Sequence, residues 1–347
     1  MSIGEHISQF AGRSVVDFEA GKPIQPGGAF AYRLSVDYDD YYDSQSQAGT
    51  PEPAGGLWQS ITGIFGKGKP APEPEAAEQS AFQKLWQAFL ADPNAASVEA
   101  LVLADWGGGG EGSTAAEVVV SLVAARPQLP ALNALFIGEM VMEESEISWI
   151  QQADLSPVLA AYRGLEHFQV RGGEGLSLGS LAAPNLETLI LESGGLPVEV
   201  VEQVCNGDLP ALQHLELWLG SDNYGGSSGL DDLVPILSGE AFPHLQYLGL
   251  RNCEFADQLA AAVAASPVVE SLKILDLSLG NMTDEGGKAL LASPVLKGLA
   301  KLDLHHHFLS DGVMAQFDQL PITVDVSIQE AAEDDDGEVY RYIAVSE

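Results

Sequence analysis

The chain has 347 residues, 46 % of them apolar, which is enough for a packed core in about two domains or one elongated repeat array. Its 15 Lys and Arg face 50 Asp and Glu, a formal charge of −35 that makes nucleic acid and anionic membranes poor partners and a basic protein or peptide a good one. Two cysteines exclude a disulfide framework, no apolar run reaches the about 18 residues of a span, and MSIGEHISQF lacks the regions of a secretory signal, so a cytoplasmic setting is expected.

In chain order, SVVDF (14–18) and AYRLSVD (31–37) read as neighbouring strands of an N-terminal cap over 1–42. Residues 43–80 form a Pro/Gly/acid-rich insertion and should be flexible. Inside it LWQSITGIF (57–65) places Trp58, Ile61, Ile64 and Phe65 on one helical face, an apolar island that either docks elsewhere or folds back onto the array. The array itself spans 81–328. An acidic spacer, EAAEDDDGE (330–338), then leads to VYRYIAV (339–345), expected as a C-terminal capping strand within 329–347.

The array is written in one pattern, apolar-x-x-apolar-x-apolar. It occurs as LETLILESGGL at 186, LQHLELWLG at 212, LQYLGLRNCEF at 245, LKILDLSLGNM at 272 and LAKLDLHHHFL at 299. Weaker copies begin at 98, 132 and 165, and ITVDVS (322–327) reads as a last strand. The eight starts lie 34, 33, 21, 26, 33, 27 and 27 residues apart, the period of leucine-rich repeats. Within each copy the alternation predicts a strand with leucines inward and the x residues on the other face. Helical stretches such as 257–266 and 283–293 return the chain, with Asp257, Thr283 and Ser310 as expected N-caps. The predicted fold class is therefore an α/β leucine-rich-repeat solenoid, curved, with parallel strands on the concave side and helices on the convex side.

The units LKILDLSLGNMTDEGGKALLASP and LAKLDLHHHFLSDG resemble ribonuclease-inhibitor-like leucine-rich repeats over about residues 95–328. The ending LDLHHH, VDVS, RYIAVSE is similar to that of a bacterial cytoplasmic leucine-rich-repeat family. The resemblance implies binding by the concave face and carries no catalytic residue with it. One departure concerns the position closing each strand motif, often Asn or Cys in such repeats. Here Cys253 keeps it, Gly194, Gly220 and Gly280 replace it, and His307 fills it in the last unit.

Aligned repeats turn the strand face into columns. Third positions include His214, Tyr247 and Lys301; fifth positions include Glu216, Gly249, Asp276, Asp303 and Asp325; seventh positions include Trp218, Arg251 and His305. Trp, Tyr and Arg are the residue types that dominate interface energetics. The candidate partner-binding set is therefore His214, Glu216, Trp218, Tyr247, Arg251, Asp276, Asp303, His305 and Asp325. Arg251 should stack on the Trp218 indole, with the loop SDNYGGSSG (221–229) folded over them. Asp276, Asp303 and Asp325 fall on adjacent strands ~4.8 Å apart, where neighbouring carboxylates repel by ~1 kcal/mol in water and ~3 kcal/mol at a dielectric of 20. A cation, Lys301 or a raised carboxyl pKa should relieve that repulsion.

Three tandem histidines, 305–307, alternate faces on a strand and cannot converge on one ion, so no metal ligand set is assigned; His307 is expected to bond backbone instead. WGGGGEGS (106–113) lacks the ending of a phosphate-binding loop, and no nucleophile elbow is present. No catalytic residue and no cofactor is therefore assigned. The reading is a non-catalytic protein- or peptide-binding scaffold; the alternative is a small-ligand or metal-dependent site at the C-terminal Asp/His cluster.

Overall fold

The computed structural model describes residues 3–36, 79–107 and 114–347. The apolar island 57–65, most of the insertion 43–80 and the glycine run 108–113 lie outside them.

Strands β1 (Gln9–Phe10), β2 (Arg13–Asp17), β3 (Phe30–Leu34), β4 (Ala100–Leu103), β5 (Ala134–Ile137) and β6 (His167–Arg171) begin one sheet. It continues through β7 (Thr188–Glu192), β8 (His214–Gly220), β9 (Tyr247–Cys253), β10 (Ile274–Asp276), β11 (Lys301–Asp303) and β12 (Thr323–Asp325). The twelve strands stand in sequence order; β1 and β2 are antiparallel and every later pair is parallel. Parallel neighbours in chain order require a return segment in every unit; most are short α- or 3-10 helices, while the returns from β2 to β3 and from β6 to β7 contain neither. The result is a mixed α/β, leucine-rich-repeat-like sheet.

The alternation explains the core. Leu189 and Leu191, Leu215 and Leu217, Leu248 and Leu250, Leu275 and Leu277, and Leu302 and Leu304 are all buried between sheet and helices in one continuous cluster. Each buried leucine removes apolar area from water worth about 2 kcal/mol, and no single unit has a partner surface of its own.

Neighbouring units are also stitched at their helix starts. Thr283 caps the helix Asp284–Ala292 by accepting from the Glu285 N–H at 3.3 Å. Asp257 does not cap its own helix, Ala256–Ala264. Its carboxylate reaches the next unit and accepts from the Thr283 N–H (2.8 Å), the Thr283 hydroxyl (2.6 Å) and the Gly286 N–H (2.9 Å). Asp284 treats the following unit alike, accepting from the Ser310 N–H at 2.7 Å and its hydroxyl at 2.8 Å, so Ser310 serves as donor and not as a side-chain cap.

The C-terminus departs from the expected capping strand. β13 (Glu333–Asp335) and β14 (Glu338–Tyr340) form a separate, fully exposed antiparallel hairpin. Beyond it Ile343 and Val345 are buried, because the chain turns back across the strand ends of the array instead of covering its edge.

Candidate functional site

The register places the predicted columns on one face. Across β8 and β9, His214 pairs with Tyr247, Glu216 with Gly249 and Trp218 with Arg251. Gly249 then pairs with Asp276, Asp276 with Asp303 and Asp303 with Asp325. Gly249 is where the side chains close over bare backbone: a Cβ there would sit 3.0 Å from Glu216 Cγ and 3.1 Å from Tyr247 Cε1.

Over that glycine lies a hydrogen-bonded hub. Arg251 Nη1 donates to Glu216 Oε1 at 2.6 Å, and Arg251 Nε donates to Ser278 Oγ at 2.9 Å with Asp276 Oδ2 at 3.3 Å. The Trp218 indole N–H donates to Glu216 Oε1 at 2.6 Å. The Tyr247 hydroxyl donates to Asp276 Oδ2 at 2.7 Å, with Glu216 Oε2 at 3.2 Å. The guanidinium carbon stands 5.0 Å from the Trp218 ring centroid, the stacking that the shared column predicted. His214 lies flat on Tyr247, centroids 3.8 Å apart and 7° from parallel, with its Nε2 3.7 Å from Glu216 Oε2.

Two carboxylates share one guanidinium here, and the titration behaviour follows. Burial pushes the Glu216 carboxyl up, but His214, Arg251 and the Trp218 indole outweigh it and hold the group at about 2. Burial, then Glu216 and Asp276, push the Tyr247 hydroxyl far above its ordinary value. Burial opposes the charge on Arg251, yet Glu216 and Asp276 raise its pKa further. Glu216 and Arg251 are therefore charged at neutral pH, while the Tyr247 hydroxyl keeps its proton and donates it.

The aspartate run has a local job. Asp276, Asp303 and Asp325 each accept, through Oδ1, the N–H two residues on: Ser278 at 3.0 Å, His305 at 3.1 Å and Ser327 at 3.0 Å. Each carboxylate thus closes an Asx-type turn where strand pairing stops. Of the ways of relieving the repulsion that the sequence left open, a raised carboxyl is not the one found at Asp303. Burial favours its neutral form, but His305 and Lys301 hold it well below the ordinary range. Lys301 Nζ stands 2.7 Å from Asp303 and 4.0 Å from Asp325, so the cation needed by the run is a side chain. Asp303, His305 and Asp325 bring potential ligand atoms within 4.8 Å of one another. His305 Nδ1 meets Asp303 Oδ1 at 2.7 Å, and its buried Nε2 has no hydrogen-bond partner among the described residues. His307 bonds backbone on both sides, Nε2 to the Val326 carbonyl at 2.9 Å and Nδ1 to the Leu309 N–H at 3.1 Å.

Both termini fold over parts of this face. Phe10 packs with Ala31, Ala100, Val102, Ala134 and Phe136, which covers the small apolar columns of the N-terminal strands. At the other end Val345 packs on Ile147, Trp218 and Leu279, so Trp218 is 7 % exposed. The loop 221–229 does not add Tyr224 to the indole; the Tyr224 hydroxyl instead donates to Glu347 Oε1 at 2.5 Å. Across β8 to β11 the half-open side chains of this face are His214, Tyr247, Ile274 and Lys301 of the third column and Arg251 of the seventh. Sequence reasoning missed Asn252 and Leu279, which hold the C-terminal tail. The alternation of Ile343 with Val345 was the signal that pointed to a bound extended segment.

No family model matches the chain, and no curated protein matches it. Among solved structures, the crystal structure of a Bacteroides fragilis protein, a structural-genomics target, is 31 % identical, with a TM-score of 0.69 over 76 % of this chain and 72 % of that one. The chain belongs to that protein's family. The Bacteroides relative brings a fold and no named activity. An internalin from Listeria monocytogenes matches 70 % of each chain at 14 % identity and a TM-score of 0.36, too distant to carry an argument. No helix among the described residues is long and apolar enough to cross a membrane.

Proposed function

We propose that the chain is a non-catalytic scaffold that binds another protein or peptide on the strand face, which we take to be the concave side of a curved repeat array. The observation that carries this reading is the His214–Tyr247 stack, half-open to solvent beside Ile274 and Lys301, and fixed from beneath by the Glu216–Arg251–Asp276 hub. A pre-set aromatic platform loses little side-chain freedom when a partner lands on it, which is how rigid surfaces gain affinity. The charge of −35 supports a basic partner and association that weakens with salt. The same charge and the resemblance to cytoplasmic repeats support a cytoplasmic setting. The domain division extends this reading: N-terminal cap 1–42, insertion 43–80, array 81–328, and the acidic spacer with its tail.

The test is capture from the native host with the intact chain and with a His214→Ala, Ile274→Glu double variant, both positions lying outside the hub's hydrogen bonds. A partner retained at low salt, released as salt rises and lost in the double variant supports the proposal. Equal capture by both chains at unchanged melting temperature overturns it.

A further inference from the structure

The last residues of the chain are bound as a peptide is bound. The Val345 N–H donates to Asn252 Oδ1 at 3.1 Å, and Asn252 Nδ2 donates to the Val345 carbonyl, a two-point side-chain clamp on one peptide unit. The Ala344 N–H donates to the Leu279 carbonyl at 2.8 Å. Asn252 and Leu279 hold left-handed backbone, φ 53° and 66°, at equivalent repeat positions, one near the end of β9 and the other just after β10. Such a conformation is disfavoured for a leucine, and here it turns a carbonyl and a side chain onto the tail. Gly194 completes the channel from the β7 side, since a Cβ there would lie 2.5 Å from the Ser346 carbonyl oxygen.

Two further observations set the tail apart from the strands of the sheet. It is tethered by an arm, residues 327–342, in which every residue is exposed. And it does not fill its channel. Beside Val345 a cavity of about 70 Å³ remains, lined by Ile3, Met140, Met142, Ser145 and Ile147. The pocket opens to solvent at Met142, which is 55 % exposed, and methionine walls adapt to different apolar side chains.

We propose that this channel across the ends of β7 to β10 is a recognition site for an extended peptide with aliphatic side chains at two positions, i and i+2. Residues 343–347 are its resident, displaceable occupant. The incoming segment replaces Ile343 and Val345, takes the Asn252 clamp and the Leu279 carbonyl through its backbone, and prefers Leu or Met where the tail has Val. The proposal rests on the scaffold reading and gives it a ligand class.

The experiment uses the chain truncated after Arg341, its folding checked by melting temperature, and labelled nonapeptides with the sequence of residues 339–347. The truncated chain should bind the peptide saturably, and the intact chain at least about tenfold more weakly, because a tethered tail competes at an effective concentration of order mM. A peptide with Leu or Met at the position of Val345 should bind several-fold tighter than the tail sequence. Asn252→Gly in the truncated chain frees the left-handed backbone and deletes the amide, and should cost about tenfold in affinity. Absence of saturable binding to a folded truncated chain overturns the proposal, as does equal binding by intact and truncated chains. A dimer of intact chains that vanishes on truncation would also overturn closure within one chain. Should truncation unfold the protein, Val345→Asp in the intact chain opens the channel instead, and the peptide must then bind it better than the unmodified chain. Failure here leaves the His214/Ile274 capture test standing, so the two proposals fail separately.

Discussion

Replacing Glu216 by Gln keeps the shape of the hub and removes its central charge. The Glu216 carboxyl falls from its ordinary 4.5 to about 2 on folding. A depressed folded pKa contributes stability that is full above the unfolded value and is lost as pH falls toward the folded one. At about 1.4 kcal/mol for each tenfold in proton affinity, the group contributes about 3.4 kcal/mol at pH 7 and about 1.4 kcal/mol at pH 3. The Gln variant lacks this dependence, and any misfit of its amide against the Trp218 and Arg251 donors adds a cost that does not vary with pH. Urea unfolding of both chains at pH 7, 5, 4 and 3 should therefore show a gap that narrows by about 2 kcal/mol between pH 7 and pH 3. All other acidic groups are common to the two chains and cancel. A gap that stays constant over that range would show that the Glu216 charge is not what Arg251, His214 and Trp218 hold, and the electrostatic account of the hub would fail.

Leu277→Ala removes a buried inward leucine from the continuous core and should cost ~2–5 kcal/mol, read as a lower urea midpoint for the whole array; a loss below about 1 kcal/mol would contradict the register. Asp257→Ala deletes three hydrogen bonds to the next unit and should cost about 1–3 kcal/mol, with faster amide exchange concentrated in the helix Asp284–Ala292 and not in Ala256–Ala264. Zinc or calcium should leave the melting temperature unchanged, because the Lys301 ammonium already stands against Asp303 and near Asp325; a saturable stabilisation would show that an ion displaces it.

Legibility in the sequence followed the range of the physics. Strand alternation has period 2 and is enforced at every step by burial, so the leucine positions located each strand. Parallel stacking at a repeating interval then set the register from His214 with Tyr247 to Asp303 with Asp325. The Trp218–Arg251 stack followed because it needs only two adjacent strands. The expected backbone bonding of His307 is likewise a local matter, settled by the strand-closing position it occupies.

Tertiary structure alone decided which of several possible partners each polar group and the tail would meet. Asp257 looks like the cap of its own helix, but the stacking of units brings the N–H groups of Thr283 and Gly286 to its carboxylate first. For the aspartate run the sequence left a cation, Lys301 or a raised carboxyl open, and the structure places Lys301 and the turn N–H groups beside it. VYRYIAV has the alternation of a capping strand, and alternation states only that one side will be buried, not against what. The channel that buries Ile343 and Val345 is assembled from Gly194, Asn252 and Leu279, which belong to different repeats and meet only when those repeats stack. Periodicity carries the contacts that recur in every unit; a contact made once, between a tail and several strand ends, leaves no period to read.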